Sequence, residues 1–234
     1  MLDVDLKRFE RSGRLLLESI AFRLEAGTSL TIMGANGAGK STLAKVLCGL
    51  YPTRDAVRIA GERLEKLPAQ RRARLLYYLP SKLEVYDPYL TVASYLSLCG
   101  TPLHARKALE SFGLIHLRRR PLRRLSSGEG QMVMLACAAI HDAAITLYDE
   151  PTANLDPGRA SEVFGYLKKR DAQQIVITHD FQLAYRLGYP ILYLHAGRME
   201  APPVSAERFF SESELRRRFG GHVVKVGDIV AVQL

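Results

Sequence analysis

The sequence predicts an α/β fold interrupted by a helical insertion, and three observations predict it. Short runs rich in β-branched residues alternate with helical segments along the 234-residue chain, the pattern of strands joined by helices. A glycine-rich turn, "GANGAGKST" at 34–42, separates an apolar run from a helical one. Between about Pro88 and Ile140 the strand pattern stops and helical segments dominate.

Taken in order, "TSLTIM" (28–33) reads as a strand and "KSTLAKVLCGL" as the helix after the turn. "AAITLYD" and "QIVITHD" are apolar and bounded by polar residues, as buried strands are, and "PGRASEVFGYLKK" is the helix between them. The tail "HVVKVGDIVAVQL" holds two alternating runs about Gly227–Asp228, a two-residue hairpin signal. The organisation is a single domain, 1–234, with a core from 1–87 and 141–234 and a helical subdomain over 88–140.

Composition bounds the function. A chain with 47% hydrophobic residues can bury a sizeable core. Apolar stretches such as "AAITLY" are too short to span a bilayer, and "MLDVDLKRFERSGR" lacks the apolar run of a signal peptide. The expectation is a cytoplasmic chain. The net charge of +9 favours polyanionic ligands. Its arginines fall in separate clusters (Arg71, Arg72 and Arg74; Arg118 to Arg124; Arg216 to Arg218) without interleaved aromatic residues, so no nucleic-acid surface is expected. Cys48, Cys99 and Cys137 are odd in number and widely spaced in apolar helical contexts, which predicts buried thiols rather than a disulfide framework or zinc site.

The most specific chemistry lies in "GANGAGKST", which matches G-x-x-x-x-G-K-[ST] with a strand before it and a helix after it. Gly34, Gly37 and Gly39 permit the tight positive-φ backbone that turns N–H groups toward phosphate, and the helix N-terminus adds its dipole. Asn36, Ala38 and Thr42 complete the candidate cradle. Lys40 reaches the β- and γ-phosphates, and the Ser41 hydroxyl is a candidate Mg²⁺ ligand. The end of a buried strand can hold a second ligand rigidly, and "ITLYDEP" supplies Asp149 for the metal and Glu150 to polarise an attacking water. Without the glycine-rich loop, "DE" would read as a helix N-cap. "VITHD" puts His179 at a third strand end, on the edge where open α/β sheets bind ligands, as a γ-phosphate contact.

The order "GANGAGKST", "LSSGEGQ", "LYDEP", "NLD", "THD" resembles the ATP-binding-cassette (ABC) ATPase family over nearly the whole chain. The resemblance implies a P-loop NTPase (RecA-like) core with an antiparallel β subdomain and an inserted α-helical subdomain, acting on ATP with Mg²⁺. "LSSGEGQ" looks like the family's signature motif, whose anion is ATP on a second subunit. Ser126 and Gly128 would then contact the γ-phosphate in trans, and Asp156 in "ANLDP" would cross the interface of a head-to-tail dimer. Phe9 occupies about the position where the family stacks an aromatic ring on adenine.

The chain departs from the family in places. Ser81 stands where a Gln touches the metal and the attacking water, so a contact there would need a water bridge. In the signature, Ser127, Glu129 and Gly130 replace the commoner Gly, Gln and basic residue. The resemblance still implies an active ATPase, the subunit of a transporter, on the cytoplasmic face of the inner membrane. Its partners would be a second cassette, the same or different, and a permease received near 81–92, where Tyr86 and Tyr89 offer apolar contact. "VRIAGERLEKLPAQRRARLLYYLP" and the tail are loosely similar to importers of iron chelates and cobalamin, so the expected cargo is an iron chelate, a metal or a cobalamin-like compound. Alternatives are an exporter subunit, or a soluble ABC ATPase in nucleic-acid or cofactor-assembly work. A P-loop kinase would leave "LSSGEGQ" and "NLD" unexplained.

Overall fold

A computed structural model describes residues 1–232; Gln233 and Leu234, the end of the expected tail hairpin, lie outside the described residues. The chain divides into two units, one formed by 1–68 with 173–234 and the other by 69–172.

The first unit opens with the antiparallel pair β1 (Leu2–Arg11) and β2 (Arg14–Leu24). Burial alternates from Leu2 to Leu6 and from Ile20 to Leu24, as expected where one sheet face is covered. Ser12 (φ 51°) and Gly13 (φ 73°) make the two-residue turn between them, a positive-φ pair whose twist suits a hairpin. By contrast β3 (Leu30–Met33) and β8 (Gln173–Thr178) are buried at every position. They run parallel, Leu30 opposite Ile175 through Met33 opposite Thr178, and burial on both faces leaves neither strand with an exposed side. With β4 (Val57–Ile59), β5 (Glu62–Arg63), β9 (Ile191–His195) and β10 (Arg198–Met199), the strand order is β5-β4-β1-β2-β10-β9-β3-β8.

Helix α1 (Lys40–Leu47) follows β3 through the glycine-rich turn. α7 (Phe181–Leu187), α8 (Ala206–Phe209), α9 (Glu212–Phe219) and the hairpin β11 (Val223–Val226) and β12 (Ile229–Val232) close the unit. Phe209, Phe210, Leu215, Val223 and Val230 are buried together there with Met33 and Ala184. The hairpin turns at Gly227–Asp228, as the sequence predicts.

In the second unit, α2 (Ala69–Leu75) leads into β6 (Leu76–Leu79), which runs parallel to β7 (Ile145–Asp149) with Leu79 opposite Tyr148. Between them lie α3 (Val92–Cys99), α4 (Pro102–Ser111) and α5 (Ser127–His141), the strand-poor stretch expected from the sequence. α6 (Pro157–Lys169) closes the unit, and its N-cap is Asp156, which accepts the Arg159 N–H at 3.1 Å. The cap that the bland reading of "DE" would have assigned to Asp149 or Glu150 thus falls on Asp156.

The cysteine expectation needs correcting. Cys48 is a free, buried thiol, and burial pushes its pKa up to about 12. Cys99 and Cys137, however, form a disulfide, because the packing of α3 on α5 brings their Cα atoms to 5.8 Å across a sequence separation of 38. Nothing in the spacing of the two residues announces that contact. Closing a loop of this length removes enough unfolded-chain entropy to contribute about 4 kcal/mol. Thermal scans of the full chain are therefore expected to show a midpoint lower by about 10 °C with reductant than without. Equal midpoints would mean that the bridge adds nothing to stability.

Candidate nucleotide site

Gly34, Gly37 and Gly39 have φ of 156°, 81° and 99°, so the backbone turns as phosphate-cradling loops do. The requirement is steric as well at Gly34, where a Cβ would lie 2.2 Å from the Leu194 carbonyl oxygen. The Gly197 N–H donates to the Ala38 carbonyl at 3.0 Å, so the β9–β10 corner supports the loop from beneath. Lys40, only 6% exposed, folds back and donates from Nζ to the carbonyls of Gly34 at 2.7 Å and Ala35 at 3.1 Å. Its ammonium is thus held across the loop mouth. The first turn of α1 contains no acidic residue, so the helix N-terminus keeps its attraction for an anion. Ala38 is buried; Asn36 and Ser41 are exposed, and Thr42 is half-buried.

His179 follows Thr178, the partner of Met33 in the β3–β8 register, and Gly34 follows Met33. Both therefore leave the same end of adjacent parallel strands, and His179 is exposed there. Phe9 lies opposite Leu17 in the β1–β2 pair, beside a one-residue register shift, and Leu17 packs against Gly39. Its ring stacks on Tyr51, with centroids 5.7 Å apart and planes 9° from parallel, while the Arg11 guanidinium sits 4.1 Å from the Tyr51 centroid. Sequence reading missed Tyr51, because nothing local in the sequence shows that the loop following α1 meets β1.

In the second unit, Asp149 is 1% exposed and ends β7. Its Oδ2 accepts a hydrogen bond from the Tyr78 hydroxyl at 2.7 Å, whereas Oδ1 is buried and lacks a hydrogen-bond partner. Such an orphaned carboxylate oxygen is costly unless something positive meets it, which fits a cation. Glu150 follows with φ 49°, a left-handed conformation uncommon for a non-glycine residue and found where a site constrains the backbone. Ser81 lies two residues beyond Leu79, at the matching end of β6.

Ser126 caps α5, its Oγ accepting the Glu129 N–H at 3.2 Å while Glu129 Oε2 accepts the Ser126 N–H at 2.8 Å. This reciprocal capping box explains a Glu in the signature, since a carboxylate at the third helical position closes it. Arg120 adds a 3.0 Å ion pair to the other oxygen. The Ser126 backbone N–H, with smaller help from the Ser126 side chain and Arg120, holds the Glu129 carboxyl below its ordinary range. A Cβ on Gly128 would meet Arg159 Cγ at 3.5 Å and Leu155 Cδ2 at 3.7 Å, so the signature turn packs on the segment that carries Asp156. Ser81 and Ser126 line one groove of about 650 Å³ with Leu83, Val85 and Met134, and Tyr86 and Tyr89 nearby are 89% and 82% exposed.

A phosphate-cradling loop after a central parallel strand, with a histidine at the next strand end, defines a P-loop nucleotide-binding protein. The family follows from comparison. Residues 17–153 match the model of the ABC transporter family, and the chain belongs to that family. It is 34% identical over 239 residues to the hemin import ATP-binding protein HmuV of Pseudomonas entomophila, covering 94% of this chain and 92% of that one. It is 32% identical over 177 residues to the zinc import ATP-binding protein ZnuC 1 of Hahella chejuensis, covering 73% and 65% respectively. Among solved structures, the dimeric post-hydrolysis form of the ATP-binding cassette MJ0796 with ADP and Pi superposes with a TM-score of 0.76. That match covers 86% of this chain and 97% of the other at 23% identity, a likeness of fold. By its family the chain is accordingly an ATP-binding cassette that hydrolyses ATP. No described helix is long and apolar enough to cross a membrane.

Proposed function

We propose that the chain is the ATPase subunit of an importer. It pairs head to tail with a second cassette around two ATP molecules and drives a membrane permease from the cytoplasmic face. The cargo is an iron chelate, a metal or a cobalamin-like compound, and the hemin and zinc import names of two relatives support that range. The observation that carries the reading is the signature turn. Ser126 and Ser127 are exposed at the start of a fifteen-residue helix, where N–H groups and a hydroxyl suit an anion, and the second unit has no phosphate loop of its own.

The roles divide by chemistry. The P-loop, Lys40 and His179 bind the phosphates, Phe9 flanks the base, and Glu150 takes the proton of the attacking water. Ser126 and Gly128 contact the partner's γ-phosphate, and Asp156, exposed while it caps α6, approaches the same interface. Ser41 and Asp149 would hold Mg²⁺, with Ser81 reaching it only through water, and the orphaned Asp149 Oδ1 supports that set. The ion supplies charge that offsets the developing negative charge on the transferred phosphoryl group. The segment 81–92 receives the permease, to which the exposed Tyr86 and Tyr89 offer apolar surface.

The test is capture of a tagged copy from membranes of its own host after mild crosslinking, followed by mass spectrometry. A polytopic membrane protein in stoichiometric amount is expected. Recovery with ribosomes, DNA or assembly proteins from the soluble fraction would overturn the transport reading and leave the ATPase standing.

A further inference from the structure

The structure assigns Tyr78 a positioning role: its hydroxyl fixes the Asp149 carboxylate so that Oδ1 is the oxygen presented to the metal. The inference rests on the proposed place of Asp149 in the Mg²⁺ shell.

Strand geometry makes the contact. In the parallel β6–β7 pair Tyr78 lies opposite Leu147, and Asp149, two residues further along β7, points to the same face as Leu147. That two-residue step is about 6.6 Å, the reach of a tyrosine from backbone to hydroxyl, so the phenol arrives at the carboxylate from behind. The neighbouring Tyr77 points to the other face and donates its hydroxyl to Cys137 Sγ at 3.4 Å. Of the two adjacent tyrosines, only Tyr78 faces the site.

The hydrogen bond has two consequences for a carboxylate that is 1% exposed. It satisfies Oδ2 at 2.7 Å, and it stops the group from rotating about its Cβ–Cγ bond, so the unpartnered Oδ1 keeps one direction. Outer partners of this kind orient metal-binding carboxylates and change metal affinity without touching the ion. The role matters more here because Ser81, two residues beyond the end of the same strand, offers a short hydroxyl and no amide.

The experiment uses the full chain, Mg²⁺ as the probe, and the affinity for fluorescent ADP as the readout, with Mn²⁺ binding in the presence of ADP followed by electron paramagnetic resonance. Tyr78→Phe keeps the ring and deletes only the donor. It is expected to raise the Mg²⁺ concentration that half-saturates the gain in ADP affinity by about tenfold, to weaken Mn²⁺ binding likewise, and to leave ADP affinity in EDTA unchanged. Asp149→Asn should raise the Mg²⁺ demand at least as far, and adding Tyr78→Phe to it should change nothing more. If Asp149→Asn shifts the demand and Tyr78→Phe does not, the positioning role is wrong. Equal losses with and without metal in Tyr78→Phe would mark a merely structural tyrosine and also overturn it. Should Asp149→Asn itself leave the demand unchanged, the metal role of Asp149 fails first and takes this inference with it.

Discussion

Glu150→Gln is expected to bind ATP as the unchanged protein does and to lose about 10²- to 10⁴-fold in turnover. The amide has the shape of the carboxylate and cannot accept a proton from the attacking water. Position and backbone both support this assignment. Glu150 follows the buried Asp149 directly, and its φ of 49° turns the chain sharply at the end of β7, so its side chain starts from a constrained point rather than a mobile loop. Phosphate release measured beside equilibrium ATP binding separates the two effects. Turnover close to that of the unchanged protein would remove Glu150 from the role of base and leave the proton to another group.

The parts of this fold legible in the sequence are those whose signal is local. β3, β7 and β8 are buried at every position because they are covered on both faces, and their short runs of branched apolar residues can be read without knowing the neighbours. The glycine-rich loop is legible for the same reason: a strand, a turn and a helix in twenty consecutive residues determine the direction of Lys40. α6 is legible too, since "PGRASEVFGYLKK" has the bounds of the helix and leaves Asp156 directly before it as the cap.

What was not legible depends on register and on helix packing. The Tyr78 hydroxyl meets Asp149 across 71 residues, and it does so only because β6 pairs with β7 with Tyr78 opposite Leu147; a shift by one residue would turn Tyr77 to the site instead. The Cys99–Cys137 bond is likewise a statement about how α3 lies on α5. Phe9 matches a family position, but its stacking on Tyr51 is a long-range contact that its own stretch of sequence does not announce. The candidate site is therefore readable in its residue types and unreadable in the contacts that aim them.

Gly34→Ala separates two reasons for glycine in one loop, and its effect on the nucleotide-free protein should be large. Both Gly34 and Gly37 have positive φ, so alanine is strained at either position. At Gly37 a Cβ would meet nothing within 4 Å, whereas at Gly34 it would lie 2.2 Å from a carbonyl oxygen of β9 and 3.2 Å from the Ala38 Cβ. Gly37→Ala therefore carries the conformational cost alone, about 1–2 kcal/mol. Gly34→Ala adds overpacking against backbone that cannot rotate away, for a total of about 3 kcal/mol or more. Chemical denaturation without nucleotide should rank Gly34→Ala well below Gly37→Ala. ADP binding should fail in Gly34→Ala even where the protein remains folded, because relief of the clash must move the loop or β9, and the loop is also tied to the β9–β10 corner through the Gly197 N–H. Equal stability of the two variants would mean that the close approach of the loop to β9 is relaxed at little cost. The loop would then owe its shape to glycine's backbone freedom alone.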